Sequence, residues 1–366
     1  MTTTINGSSP SITFSDGSAQ TSATRPFQNR IINGAMVIDQ RNAGASVTAT
    51  GSPFSVDRWQ ATVSQAAKFT IQQNAGAVTP PVGFTNYVGV TSSSAYSVLT
   101  GDYFILNQTV EGFNIADLGW GTANAKTITI SFWVRSSLTG TFGLALSNQD
   151  WNYSYPASYT ISVADTWEYK TVTIAGPTAG TWNTNNNGGV RVQFGLGVGS
   201  TYSGTANAWA AAQYLGTTGA TSVVGTNGAT FYITGVQLEV GSTATSFDYR
   251  PYGTELALCQ RYYYKHASGS GFSIGVGSQY NASNGSVPVF FKQPMRTIPT
   301  LSVTSGSNYY IGYYNGTNAT SSAPDLNAAS TEMVGLLTTN TVATAGNGLD
   351  FRTNNASSFV AFQAEL

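Results

Sequence analysis

Along most of this chain apolar residues recur with period two, and short runs of them are separated by Gly, Ser, Asn and Pro. The segment from Thr127 to Arg135, TITISFWVR, is the clearest example. Ile128, Ile130, Phe132 and Val134 fall on one side of a strand, and Thr127, Thr129, Ser131, Trp133 and Arg135 on the other. Further on, GVRVQFGLGV sets Val190, Val192, Phe194, Leu196 and Val198 against Gly189, Arg191, Gln193, Gly195 and Gly197, giving one core face and one nearly bare face. In TFYITGVQLEV the apolar set Phe231 and Ile233 resumes at Val236, Leu238 and Val240, a slip of phase that predicts a bulge and a bend at Gly235.

The pattern divides the chain into four parts. Residues 1–26 are polar, with one candidate strand in SITFSDGSAQTSA, where Ile12 and Phe14 precede an Asp16-Gly17 turn. So short a segment cannot bury its own apolar face, and is stable only against copies of itself or another protein. Residues 27–252 read as a long series of strands and turns. Residues 253–266 hold the one convincing helical segment, TELALCQRYYYKH, with Thr254 as its cap and Leu256, Cys259 and Tyr263 spaced for one face. Residues 267–366 return to strand and turn, in SVPVFF, MRTIPTLSV, NYYIGYYNGT, EMVGLLT and SSFVAFQAEL, as a second, smaller β domain.

Composition supports an all-β protein. Of 366 residues only 8% are charged, while 12% are aromatic and 40 are glycine, so strand and turn formers dominate and disorder is excluded. A net charge of -1 without basic clusters argues against nucleic acid and anionic lipid as partners. No signal peptide or membrane-spanning run is legible, which predicts cytoplasmic synthesis and no membrane insertion. Cys259 is the single cysteine and His266 the single histidine, so stability rests on packing or oligomerisation.

Catalytic chemistry is thinly represented. A Ser-His-Asp or Cys-His arrangement would have to use His266, which sits among tyrosines. Asp150, Asp165 and Glu168 lie near aromatic loops without forming an informative pair, and the GLGVG run at Gly195 has no helix after it to hold a phosphate. No cofactor is expected. The oxygen-rich composition leaves a structural calcium open at residues such as Asp39, Asp57, Glu239 or Asp248.

Aromatic residues in polar settings remain. Trp133 and Arg135 share the polar face of TITISFWVR, NQDWNYSYPASY carries Trp151, Tyr153 and Tyr155, and Trp182 lies in TWNTNNNGG. Tyr309, Tyr310, Tyr313 and Tyr314 come as two pairs, so one side of their strand is exposed or covered by another chain. A flat ring among hydroxyls suits stacking against a sugar, and these ten residues are the glycan-binding candidates. The competing reading for each is a ring packed under a loop or a partner subunit.

NRIINGAMVIDQRNAG from Asn29, SVDRWQATVSQ from Ser55 and VQLEVGSTATSFDYRPYGTELALCQRYYYK at the close of the long region resemble the carbohydrate-binding-module-like jelly-roll domain of bacteriophage tail fibres and related appendage proteins. The leader resembles the strands by which fibre and baseplate chains intertwine, and FKQPMRTIPTLSV with VAFQAEL resembles the small β tip that follows. The resemblance implies an antiparallel jelly-roll sandwich, a small C-terminal β-sandwich tip domain and a short N-terminal attachment strand. It further implies a homotrimeric virion tail fibre or receptor-binding protein, joined to other tail or baseplate proteins through the N-terminal segment and binding a host surface glycan without catalysis. A purely structural baseplate or capsid-decorating role is the alternative, and a glycan depolymerase a third. Asn33, Gly34, Asp57, Arg58, Trp59, Glu239 and Arg250 carry the motif and are read as architectural, with Trp59 filling the sandwich.

Overall fold

The period-two segments form strands, and the computed structural model pairs them antiparallel into two facing sheets. It describes residues 27–339 and 344–366, and before them the backbone of three short strands, Thr4–Asn6, Ser11–Thr13 and Ala19–Gln20, which form one sheet. The expected Phe14 and Asp16-Gly17 turn lie outside the described residues.

The first of the two facing sheets has five strands in the order Ser154–Ile161, Gly140–Ser147, Gly188–Val198, Tyr103–Glu111 and Gln60–Val63. The second has six, in the order Glu168–Ile174, Ile128–Ser136, Thr230–Val240, Val88–Ser92, Phe69–Gln73 and Val47–Thr48. From Val88 onward the chain crosses between the sheets at nearly every turn, the connectivity of a jelly roll. The inward residues of both sheets form one core: Trp59, Phe69, Phe104, Phe132, Phe142, Phe194 and Phe231 are all fully buried. Trp59 fills the sandwich as expected, its ring 6.2 Å from that of Phe194 and its Nε1–H donating to the Asn33 carbonyl at 3.1 Å.

The bulge at Gly235 is present. The register between Thr230–Val240 and Ile128–Ser136 shifts between Thr234 and Gln237, and Gly235 takes a φ of 61°, a conformation that disfavours a side chain. The nearly bare face expected in GVRVQFGLGV is not found. Arg191 and Gln193 are buried, Gln193 donating to the Ser147 hydroxyl at 2.7 Å. The connection after Val198 folds back over this face, and Gly143 lets the backbone of Gly216 and Thr217 lie against it, since a Cβ there would stand 3.1 Å from the Thr217 nitrogen. The outer face of the five-stranded sheet is thereby closed around Arg191 and Gln193.

The helix spans Tyr252–Gln260, not Thr254–His266. Pro251 fixes the entry, so Thr254 lies inside the first turn, and Tyr263–Ser268 is a strand paired with Phe359–Gln363. Consecutive tyrosines suit a pleated edge better than a helix turn. Together with Thr300–Val303 this pair makes a three-stranded sheet. A seven-stranded sheet completes the C-terminal region, in the order Thr317–Ser321, Tyr310–Tyr314, Gly348–Thr353, Ser273–Gln279, Asn284–Phe290, Met333–Thr339 and Asp325–Ala329. Its core gathers Tyr310, Val287, Leu336, Phe351 and Phe362.

Buried charge joins the two regions. Glu365 pairs with Arg58 and Arg41, and Glu111 accepts from Arg261 at 2.6 and 2.9 Å and from the Tyr262 hydroxyl at 2.6 Å. Asp57, fully buried, accepts from both nitrogens of Gln40, whose side chain also donates to the Tyr263 carbonyl at 2.9 Å. Burial pushes the Asp57 carboxyl up to about 7, against the lowering effect of the Gln40 hydrogen bond.

Candidate functional site

The outer face of the six-stranded sheet carries the alternation with which the sequence opens. Ile128, Ile130, Phe132 and Val134 face the core, while Thr129, Ser131, Trp133 and Arg135 face outward. Tyr169 is the direct cross-strand partner of Trp133, and their ring centroids stand 5.4 Å apart with planes at 50°. Beside them Phe84, Phe247 and Tyr249 form a second group, with centroids 4.9 to 5.5 Å apart. The two groups bound an open groove floored by Ser131 and Gly235 and rimmed by Thr245 and Ser246. The bulge makes the arrangement possible: a Cβ on Gly235 would stand 2.6 Å from Phe84 and 3.2 Å from Trp133.

Hydrogen bonding separates Trp133 from most other tryptophans of the chain. The indole N–H groups of Trp59, Trp120, Trp167, Trp182 and Trp209 each donate to a backbone carbonyl. That of Trp133 has no acceptor among the described residues, and its ring is only partly buried. Tyr169 is 43% exposed and Tyr249 57%, so the groove presents ring faces and hydroxyls together. Arg135 is committed elsewhere: it holds Asp165 by a 3.1 Å ion pair and lies over the Tyr232 ring.

The other candidates do not join this groove. Trp182 and Tyr155 are buried in a cluster with Trp120 and Trp209, in which Trp120 meets Trp182 edge-on at 4.8 Å and Tyr153 stacks on Trp209 at 5.7 Å. Those rings are satisfied by one another. Trp151 caps the Arg191 guanidinium at 4.4 Å. In the C-terminal region Tyr310 is fully buried against Phe351, with its hydroxyl donating to the Phe359 carbonyl at 2.7 Å, and Tyr314 is buried beside it. Tyr310, Tyr314, Trp182 and Tyr155 are therefore core residues and offer no ring to a ligand. Tyr313 is 41% exposed beneath Arg352, and Tyr309 is half-buried.

Sequence reasoning missed Tyr169, Phe84, Phe247 and Tyr249. Tyr169 was legible in the alternation of EYKTVTI, which puts it with Thr171 and Thr173 on the polar face. The other three lie in a loop and in the SFDYRPY motif, where no periodicity signals a surface ring.

The motif carboxylates are engaged within the protein. Asp39 caps the turn at Asn42 and Gly44, and Glu239 accepts from Gln237 and from both the nitrogen and hydroxyl of Thr245. Among the described residues no three His, Cys, Asp or Glu side chains gather to hold a metal ion. His266 binds the Ile274 carbonyl through Nε2 at 2.6 Å, and burial lowers its basicity. Asp165 and Glu168 are paired with Arg135 and Lys170.

No protein-family model and no curated protein matches the chain. Among solved structures, it is similar to the enzymatically active domain of tailspike protein 4 of bacteriophage CBA120, at 12% identity and a TM-score of 0.30, over 60% of this chain and 22% of that one. It thus spans under a quarter of that tailspike domain. A family 4 carbohydrate-binding module aligns at 16% identity and a TM-score of 0.29, over 57% of this chain and 98% of the module. The family 11 module of the Clostridium thermocellum cellulase Lic26A-Cel5E aligns at 13% and 0.29, over 54% and 98%. Likenesses this distant bear on no functional point.

Proposed function

We propose that this protein is a non-enzymatic bacteriophage tail fibre or receptor-binding protein, resident in the virion, that holds a host surface glycan in the groove over its six-stranded sheet. The observation that carries the reading is Trp133, a partly exposed indole whose N–H has no acceptor among the described residues, paired with the exposed ring of Tyr169. A sugar ring has an apolar face for those rings and hydroxyls for the indole N–H and the Thr245 and Ser246 rim. No Asp or Glu is among the described residues that line the groove, which supports binding over hydrolysis, since most glycoside cleavage uses a pair of carboxyl groups flanking the scissile bond.

The jelly-roll motifs at Asn29, Ser55 and Val236 support the appendage assignment. Assembly as a homotrimer, attached to tail or baseplate proteins through residues 1–26, belongs to the same reading. Exposed Val276, Phe290 and Met333 on the outer face of the seven-stranded sheet support subunit contacts, because exposed apolar patches mark interaction sites. Weak single sites then gain avidity from several copies.

Labelling of intact candidate host cells with a fluorescent fusion, with mass measured by light scattering, tests the reading. Saturable labelling by a trimer that is lost after periodate treatment of the cells is expected. A trimer that labels cells equally before and after periodate contradicts the glycan, and a protein that labels no host returns the structural role.

A further inference from the structure

The groove over the six-stranded sheet is open to solvent and carries no formal charge of its own. Its described lining residues supply aromatic rings, the hydroxyls of Ser131, Thr245 and Ser246, and the fully exposed Val82, with no Asp, Glu, Lys or Arg among them.

The cations around it are engaged elsewhere. Arg135, two residues along the strand from Trp133 and on the same face, gives Nη2 to the Asp165 carboxylate at 3.1 Å and Nε to the Asp165 carbonyl at 2.9 Å. Lys170 alternates with Tyr169, falls on the opposite face and pairs with Glu168 at 2.5 Å. Arg250, on the far side of the Phe84 wall, is neutralised by Glu255 at 3.2 Å. The acids are not balanced in this way. Glu239 is buried directly behind the rim, where it accepts from the Thr245 nitrogen at 2.8 Å and from the Thr245 hydroxyl at 2.7 Å, and Asp248 stands in the chain between the wall residues Phe247 and Tyr249. Neither has an ion-pair partner among the described residues.

An anionic group that entered the groove would lose hydration among the rings, meet no cation in its place and approach two uncompensated carboxylates. An ammonium would find no carboxylate to pair with, because the Glu239 oxygens already accept from Gln237 and Thr245 and Asp248 lies behind the wall. A neutral sugar meets neither penalty. Its C–H face covers the rings, its hydroxyls accept from the Trp133 indole, and they donate to the Thr245 hydroxyl, whose own proton is directed at Glu239. Resting on the reading of the groove as a glycan site, we infer that it selects an uncharged stretch of host glycan and rejects sugars that carry carboxylate, phosphate or sulfate.

The test uses surface polysaccharide from a host strain that the full chain labels, split on an anion exchanger into an unretained fraction and a retained, acidic one. Each is added as competitor to labelling by the fluorescent fusion. The unretained fraction should compete, and the retained one should compete at least tenfold less per unit mass. The half-saturating concentration on cells should change by less than about twofold between roughly 0.01 and 1 M salt, over which the screening length falls from about 30 to about 3 Å. Competition by the retained fraction overturns the inference, and so does labelling that weakens tenfold as salt rises, the mark of a cationic glycan; if that labelling is still lost in Trp133→Ala, the groove itself stands. Labelling that neither fraction inhibits, labelling that survives unchanged in Trp133→Ala, or the absence of any labelled host overturns the reading of the groove and this inference with it.

Discussion

Trp133 and Tyr169 face each other across two paired strands, 5.4 Å between ring centroids, on a face whose other residues in these strands are Thr, Ser and Arg135. Cross-strand aromatic pairs stabilise a sheet by a few tenths to about 1 kcal/mol, so losing one ring is tolerated by the fold. The pair is thus separable from the core: Tyr169→Ala should lower stability by under about 1 kcal/mol while weakening glycan binding several-fold, measured by denaturant melts and cell labelling on one preparation.

Gly235 should be intolerant of any side chain. Its φ of 61° and a Cβ 2.6 Å from Phe84 combine backbone strain with a clash against the groove wall. Gly235→Ala should cost roughly 1–3 kcal/mol and displace Phe84, so that loss of binding accompanies the drop in melting temperature.

Tyr310 and Tyr313, which lie in one strand, differ sharply in consequence. Tyr310→Ala empties a fully buried site against Phe351 and should cost about 3 kcal/mol or more, whereas Tyr313→Ala, at a 41% exposed position, should change stability by under about 1 kcal/mol. Urea denaturation of the two variants checks this contrast.

Asp57 gives the junction between the sandwich and the C-terminal region a pH dependence of known sign. Its folded carboxyl, raised by burial to about 7 from 3.8, favours the protonated form. The unfolded chain releases that proton near pH 4, so this group's contribution to stability is greatest below pH 4 and is lost as pH rises towards 7, at up to about 1.4 kcal/mol per unit. Hydrogen-bonded carboxylates such as Asp102 and Glu168, with lowered values, act in the opposite sense. The comparison of wild type with Asp57→Asn isolates the effect: the variant should gain on the wild type as pH rises from 4 to 7. A constant difference across that range contradicts it.

Glu365 neutralises two arginines at once, one of them, Arg58, with only 3% of its side chain exposed. Glu365→Gln leaves a buried guanidinium without its counter-charge and should cost about 3–5 kcal/mol in a thermal or denaturant melt.

Much of this was legible in the sequence because it follows from period two. The strand at Ile128–Ser136, the bulge at Gly235 and the buried Trp59 come from local pattern and motif, which one segment carries by itself. The groove needed pairing between distant segments: Trp133 meets Tyr169 across two paired strands, and Phe84 meets Tyr249 from near the opposite end of the sandwich's sequence. Tyr310 and Trp182 were misplaced for the same reason, since a ring in a polar sequence is covered by residues far away in the chain, such as Phe351 and Trp120. The Gly-rich face of Gly188–Val198 read as bare because glycine marks close backbone approach as readily as exposure.

The most direct measurement of the central claim is the affinity of the wild type and of Trp133→Ala for one glycan-bearing host strain, with circular dichroism confirming that both are folded. Periodate-sensitive, saturable labelling that weakens at least tenfold in Trp133→Ala is the predicted result. Labelling of equal affinity in the two proteins would contradict the assignment of the groove.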